Sequence, residues 1–498
     1  MERASGPSVA VPGNQLPPIR ASRALAGIKR TVDSTEPMSP TARIMDDLGM
    51  YIITTFGLDT AVSMPIFLCG IEYMLAQHPR LRCIQVRDVP TDGQAWWVPT
   101  TVNAEDHIIV PRLDPAAVAT DSDKVVEDYA ASLSALPMDR SRPLWDFHVL
   151  DFPTSEAAST VVFRMHHSFG DGMSLITILK RPTPVAAAPT TWTSMAAPAR
   201  RGRTGAIYAR PCPLLSAGTL AFAGWVWSCF LLAWNTVVDV AFFLAIILFL
   251  NDPLTLFKRA DNDESHRKRF VHRSLSLDDI MFIKNAMNCS VNDVLVGVTS
   301  SALSRYYFRK SGNTNTREIR LRSILPVNLR PPSLQTDDII WGNQLGCIIV
   351  PFHLTANDHP LEYVRKAKNA MDRKKSSLEV IFTRIVAETF VKLFGVKAGA
   401  FIFRRAFAHT TIVFSNMVGP AEQVTLNGHP VAFIAPSVYG IQEALIIHCL
   451  SYRSTIKVIL SVDEDKFPDY AQLLEDFSQT LTTMREASSR LSTSTKND

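Results

Sequence analysis

The apolar positions of this chain change period repeatedly, and each change marks the end of one element and the start of another. Residues 41 to about 56 and 63–78 carry apolar side chains at helical spacing, the second run presenting Ile66, Phe67, Cys69, Ile71, Met74 and Leu75 as a core face. Trp96-Trp97-Val98-Pro99 and Ile108-Ile109-Val110 read as short strands, followed by an amphipathic helix over about 124–136. Pro143-Leu144-Trp145 then opens a strand to Leu150, because a proline nitrogen is tolerated where a strand begins. Trp145, Phe147 and Val149 share a face, so Pro143, Leu144 and Trp145 are expected to pack beside the next strand, with direct substrate contact as the alternative. In that next strand Val161, Phe163, Met165 and His167 alternate with Arg164 and His166, which places His167 inward. Gly170-Asp171-Gly172 demands a sharp turn, and 173–179 reads as a helix.

In the second half, 275–279 and Ser290-Val291-Asn292-Asp293 both have the form of helix entries. Ser290 is the expected cap and Asp293, three residues on, its reciprocal acid, before a helix through Val294, Leu295, Val298, Leu303 and Tyr306. Strands are predicted at 319–330, from Gly342-Asn343-Gln344 through Val350, and at 411–416. Basic helices lie over 361–375, and a hairpin of 444–450 with 455–462 precedes a last amphipathic helix. Strands and helices mix in both halves without a glycine-rich nucleotide loop, which suits an α/β fold of two mixed-sheet domains facing each other.

Between the halves, 214–257 is of a different kind. Asp239 stands alone as a charge in an apolar run from Phe222 to Phe249, and a soluble core helix apolar all round at this length is unusual, so membrane contact is expected. Trp225, Trp227 and Trp234 suit a headgroup belt. Basic residues flank both sides, so the positive-inside rule selects no direction. A helical hairpin or a double crossing, turning near 235–239, is expected.

Composition narrows the classes further. The 498 residues exceed one ordinary core, and a net charge of +4 with no massed basic block gives no reason to expect nucleic acid. The seven cysteines are odd in number, scattered and without a CxxC pair, which suits a reducing compartment. No secretory signal stands at the amino terminus, where Pro, Ser, Ala and Arg predominate.

The chemistry concentrates in His166-His167-Ser168-Phe169-Gly170-Asp171-Gly172. A neutral imidazole on a strand end can take the proton of an alcohol. A buried structural pair of histidines is the plain alternative. Metal ligation is disfavoured, because adjacent strand histidines point apart and no zinc-site spacing accompanies them. Asn292, in a first helical turn, could donate to a developing oxyanion.

His166-His167 with Asp171-Gly172 resembles the HHxxxDG signature of the acyl-CoA-dependent acyltransferase superfamily. Pro143-Leu144-Trp145, Asn292-Asp293 and Ser415-Asn416 with Gly419-Pro420 resemble, more narrowly, the plant-type wax ester synthase/diacylglycerol acyltransferase family, from about Pro37 to the final helix. The resemblance implies two similar α/β acyltransferase lobes with a tunnel between them and the histidine at its middle. It also implies that Asn292 and Asp293 lie near the active site with Asn343 and Asn416. The expected activity is transfer of a fatty acyl group from acyl-CoA, a substrate rather than a cofactor, to a long-chain alcohol or diacylglycerol. His167 is the expected base, His166 a support, and Asp171 a structural acid paired with Arg330. The alternatives are acyl transfer to a soluble acceptor and a non-catalytic lipid-binding scaffold. No metal and no cofactor are expected; membrane lipid is, at the cytosolic face of the endoplasmic reticulum and also at the cell membrane. The chain divides on this reading into a disordered leader (1–36), a first lobe (37–180), a flexible linker (181–213), the apolar segment (214–257), a second lobe (258–487) and a disordered tail (488–498).

Overall fold

The computed structural model describes residues 35–87, 94–179, 219–258, 267–312, 318–330, 341–356, 359–441 and 443–494. The expected linker at 181–213 and most of the expected leader lie outside them. The first half contains β1 (Glu36–Pro37), α1 (Pro40–Leu48), β2 (Tyr51–Leu58), α2 (Met64–Gln77), β3 (Cys83–Arg87), β4 (Ala95–Pro99) and β5 (Ile108–Ile109). It continues through α3 (Pro115–Thr120), α4 (Ser122–Leu133), β6 (Trp145–Leu150), β7 (Ser159–His166) and α5 (Gly172–Leu179). One long helix, α6 (Thr219–Leu248), leads to β8 (Lys268–Ser276), α7 (Leu277–Ala286), α8 (Val291–Ser311), β9 (Ile319–Asn328), β10 (Leu345–Leu354), α9 (Pro360–Lys375), α10 (Glu379–Phe394) and α11 (Val396–His409). The chain closes with β11 (Ile412–Val418), β12 (Thr425–Leu426), β13 (His429–Tyr439), β14 (Leu445–Tyr452), β15 (Thr455–Asp463) and α12 (Tyr470–Ser494).

Two six-stranded mixed sheets carry the two lobes, in the orders β12-β13-β2-β7-β6-β5 and β10-β9-β11-β14-β15-β8. β12 and β13 come from the second half of the chain yet complete the first sheet, β13 running antiparallel to β2 from Val431 opposite Leu58 to Tyr439 opposite Tyr51. The lobes are therefore tied by main-chain hydrogen bonds as well as by side chains. Each has its own apolar core, and a third cluster, with Met45, Met50, Phe243, Ile246, Ile324, Ile349, Phe407 and Ile446, joins elements of both.

Three expectations are corrected. The helix predicted over 41–56 stops at Leu48, where Gly49 takes a left-handed φ of +65° that ends it, and 51–58 is a strand. β2 lies between β13 and β7 and is buried along nearly its whole length, so it shows no polar alternation to separate it from a helix. The expected hairpin in the apolar segment is instead one uninterrupted helix of 30 residues. Asp239 makes no bend there: its Oδ1 accepts from Arg373 Nη1 at 2.8 Å and Lys374 Nζ at 3.0 Å, and Lys374 also reaches Glu379 Oε2 at 2.6 Å. The closing helix, finally, runs to Ser494, into the segment expected to be a disordered tail.

Lys374 thus lies between two buried carboxylates and fastens α6 to α9 and α10. Lys374→Met leaves Asp239 with Arg373 alone and Glu379 with no cation, and is expected to cost on the order of 3–5 kcal/mol, read as a lowered chemical-denaturation midpoint. Unchanged stability would remove the anchoring role.

Candidate active site

β7 ends on His166 and hands His167 to the turn that follows. The main chain there is fixed from three directions. The His166 N–H donates to Leu144 O at 2.9 Å, the His167 N–H donates to Met50 O at 2.8 Å, and the His167 carbonyl accepts from Asn343 Nδ2 at 2.8 Å. The side chains then diverge, as strand alternation requires. His167, 7% exposed, faces a cavity of about 670 Å³ walled by both lobes. Met45, Met50, Phe243, Ile324, Ile349, Phe403 and Phe407 supply apolar wall, and Asp171, Asn343, Ser415, Asn416, Ser437 and His448 supply polar groups. His167 Nδ1 is buried without a hydrogen bond among the described residues. Burial holds the His167 pKa below the ordinary 6.5, so the imidazole is neutral at neutral pH and able to accept a proton.

His166 is fully buried on the other side of the strand and does not line the cavity. Its Nδ1 meets Ser168 Oγ at 2.7 Å, its ring stands edge-on to Tyr51 with centroids 4.7 Å apart, and its Nε2 is 3.7 Å from Asp46 Oδ1. Burial pushes its pKa down to about 3 despite the opposing pull of Asp46. The expected divergence of the two imidazoles is what the structure shows.

Asp171 does two things. Oδ1 accepts from the main-chain N–H groups of Met173 and Ser174, both at 3.2 Å, and so caps α5. Oδ2 accepts from Arg330 Nη1 at 2.7 Å and from the Gln344 N–H at 3.3 Å, both on the second lobe. The pairing of Asp171 with Arg330 is the one expected, and Arg330 Nη2 also holds the Gly342 carbonyl at 2.6 Å. Gly170 forms a parallel bridge with Gly342, and a Cβ on Gly172 would stand 2.3 Å from Met417 Sδ. The signature loop is therefore pressed against the second lobe, and any larger residue at 172 would have to displace the Met417 side chain.

The other expected residues divide. Asn343 and Asn416 line the cavity. Asn292 is not among the lining residues; its Oδ1 accepts from Asn416 Nδ2 at 3.2 Å, so it holds the amide that does face inward. Asp293 closes the capping box, accepting from the Ser290 N–H at 2.8 Å while Ser290 Oγ accepts from the Asp293 N–H at 3.2 Å. Pro143, Leu144 and Trp145 are buried away from the cavity, with Trp145 Nε1 donating to Leu81 O at 2.9 Å, which is the packing reading. Sequence reasoning missed His448, Ser415 and Ser437 as cavity residues. His448 sits in an ordinary alternating strand with no motif to announce it. No group of three or more metal-capable side chains is found among the described residues.

Comparison with known proteins is in keeping with this geometry. Residues 42–295 match the family model of the wax ester synthase/diacylglycerol acyltransferase catalytic domain, and 341–485 match that of the WS/DGAT C-terminal domain. The chain is 36% identical over 481 residues to wax ester synthase/diacylglycerol acyltransferase 11 of Arabidopsis thaliana, spanning 92% of this chain and 96% of that one. Identity to number 7 of the same plant is 35% over 486 residues, with 91% and 98% covered. Among solved structures, the wax ester synthase/diacylglycerol acyltransferase from Marinobacter aquaeolei VT8 superposes with a TM-score of 0.59 at 16% identity, over 91% of this chain and 100% of that one. The first condensation domain of the CDA synthetase gives 0.55 at 12%, over 92% and 96%. At these identities both are likenesses of fold.

Arg330→Met leaves Asp171, 2% exposed, without its cation and is expected to cost about 3–5 kcal/mol. A double-mutant cycle with Asp171→Asn should show the two losses strongly non-additive. Additive losses would mean that the pair does not hold the loop.

Proposed function

The chain belongs to the wax ester synthase/diacylglycerol acyltransferase family, and from that premise we propose that His167 is the general base of its acyl transfer. The reaction moves a fatty acyl group from acyl-CoA to the hydroxyl of a long-chain alcohol, forming a wax ester, or of a diacylglycerol, forming a triacylglycerol. The observation that carries the base assignment is a buried, neutral imidazole open to an apolar cavity shared by both lobes. His167 takes the hydroxyl proton as the alcohol oxygen attacks the thioester carbonyl, and returns it to the departing thiolate. No acyl-enzyme is required, because a thioester is already activated and the base, an oxyanion donor and positioning suffice. Asn416 has a second amide N–H beyond the one given to Asn292, and we assign it to the developing oxyanion. Asp171, Arg330 and Asn343 fix the loop, Asn292 fixes Asn416, and His166 supports the strand end.

Membrane lipid is the proposed partner of α6. Over its first two-thirds the helix exposes what a soluble surface hides, including Trp227 at 60% and Trp234 at 58%. The apolar surface continues on α10 and α11 with Phe390, Leu393, Phe394 and Phe401. Phe243 of α6 and Phe403 and Phe407 of α11 reach the cavity, so the surface offered to lipid and the wall of the site belong to the same helices. We place both lobes on the cytosolic face of the endoplasmic reticulum, where acyl-CoA is available.

Purified protein with labelled acyl-CoA and either hexadecanol or diacylglycerol should form the corresponding ester. Transfer only to soluble acceptors, or none at all, would favour the other readings. His167→Ala should abolish transfer with folding intact, and His166→Ala should be milder; the reverse order would overturn the assignment of the base. Because burial lowers the His167 pKa, log(kcat/KM) should be level at neutral pH and fall as pH drops through a value below 6.5. An acid limb centred above 6.5 would point to another group. On sealed microsomes, tags near residue 197 and after residue 263 should both be digested from outside. Protection of one would mean a full crossing.

A further inference from the structure

His448 stands on β14, whose parallel neighbour is β11, with His448 opposite Ser415 and Cys449 opposite Asn416. The side chain lines the same cavity as His167 and is 6% exposed. Its Nδ1 is fully buried and unpartnered, and no hydrogen bond of the ring is found among the described residues. Buried polar groups in native proteins are nearly always paired, because an unpaired one costs about 1–3 kcal/mol. Nδ1 is sealed from the cavity, so Nε2 is the ring nitrogen that can meet a partner arriving with the substrate. Two further facts limit what it can do. Burial, with a contribution from His167, pushes its pKa down to about 4, so it enters the reaction neutral. The approach of His167 also means that the charge His167 acquires during transfer further disfavours protonation of His448. It is thus no second base in the cycle, but a neutral imidazole has one ring N–H to give.

We propose that His448 is a further catalytic residue, donating its Nε2–H to the thioester carbonyl oxygen as it becomes an oxyanion. The inference rests on acyl transfer taking place in this cavity. Register partners on neighbouring parallel strands share a face, so His448 and Ser415 line the cavity from the same side of the sheet. As the acceptor oxygen bonds to the carbonyl carbon, the π pair moves onto the carbonyl oxygen, where His448 stabilises it. Collapse restores the C=O bond and breaks the C–S bond, and the thiolate takes the proton held by His167. His448 leaves the cycle in the state in which it entered.

The test compares full-length His448→Leu and His448→Gln with the wild type, measuring kcat, KM for acyl-CoA and thermal stability. Leucine removes the donor, while glutamine can replace it through its amide. His448→Leu should lower kcat about 10²–10³-fold, the usual effect of losing one oxyanion donor, with KM for acyl-CoA nearly unchanged. It should melt at or above the wild-type temperature, since it relieves an unpaired buried group. His448→Gln should recover most of the rate. Wild-type turnover in the leucine variant overturns the proposal. So does a loss of rate accompanied by a lower melting temperature, which makes the role one of packing, and so does a stable glutamine variant as slow as leucine. His167→Ala run in parallel keeps the two assignments apart, because an active His167→Ala enzyme with an inactive His448→Leu enzyme would refute the base and not the donor.

Discussion

The carboxylate of Asp171 is the point on which the site depends, because it is bonded to both lobes at once. One oxygen caps α5 and the other accepts from Arg330 and Gln344 of the second lobe. The His167 carbonyl is held by Asn343 in the same segment, so the strand end that carries the imidazole is located by the second lobe as much as by its own sheet. A base on a strand of one lobe and amides on a strand of the other keep their separation only if the lobes do not slide. An ion pair buried at the junction is costly to break from one side, and it favours one register of the two lobes over its neighbours.

The site illustrates how burial can raise rather than lower chemical competence. Desolvation penalises the charged imidazole, so His167, His166 and His448 are all held neutral. What separates them is access to the cavity. All three have a buried ring nitrogen unpaired, but His166 is turned away with its Nδ1 on Ser168, whereas His167 and His448 face the cavity. The wall is largely apolar, and in such surroundings a donor aimed at a developing charge counts for more than it does in water.

The chemistry was legible in the sequence wherever a spacing rule forced it. Glycines around Asp171 announced the turn, alternation separated His166 from His167, and Ser290 with Asp293 announced a capping box. Arg330 could be named because it ends a strand beside a proline turn, although the resemblance had not said which arginine pairs with Asp171. Legibility failed where a residue's meaning depends on distant partners. Asp239 reads as a stranded charge at a bend until Arg373 and Lys374, far along the chain, are placed beside it. β2 reads as helix because both its faces are buried, one of its neighbours being a strand from the end of the chain. His448 reads as filler in an alternating strand, since only the meeting of the two lobes puts it in the cavity with His167.

The continuity of α6 changes the reason for proposing that both lobes lie on one side of a membrane without changing the proposal. At 30 residues and 1.5 Å of rise each the helix is about 45 Å long, so length alone allows a crossing. On the proposed lipid contact, connectivity argues against it. The last third of α6 is bound into the second lobe through Asp239, Phe243 and Ile246, and α5, which ends at Leu179, lines the same cavity through Gly172, Met173 and Leu175. If the amino-terminal end of α6 emerged on the far side of a bilayer, residues 180–218 would have to cross back to reach it from α5. That stretch contains Arg200, Arg201, Arg203 and Arg210 among several prolines, and each arginine near the bilayer centre costs about 2.5–3.5 kcal/mol on insertion scales. Contacts of α6 with the rest of the protein offer little to offset that sum, because the helix end concerned is largely exposed. The arrangement we propose has α6 lying along or dipping into the near leaflet, its tryptophans at headgroup depth and its polar anchor, Asp239 with Lys374, held out of the hydrocarbon by the second lobe.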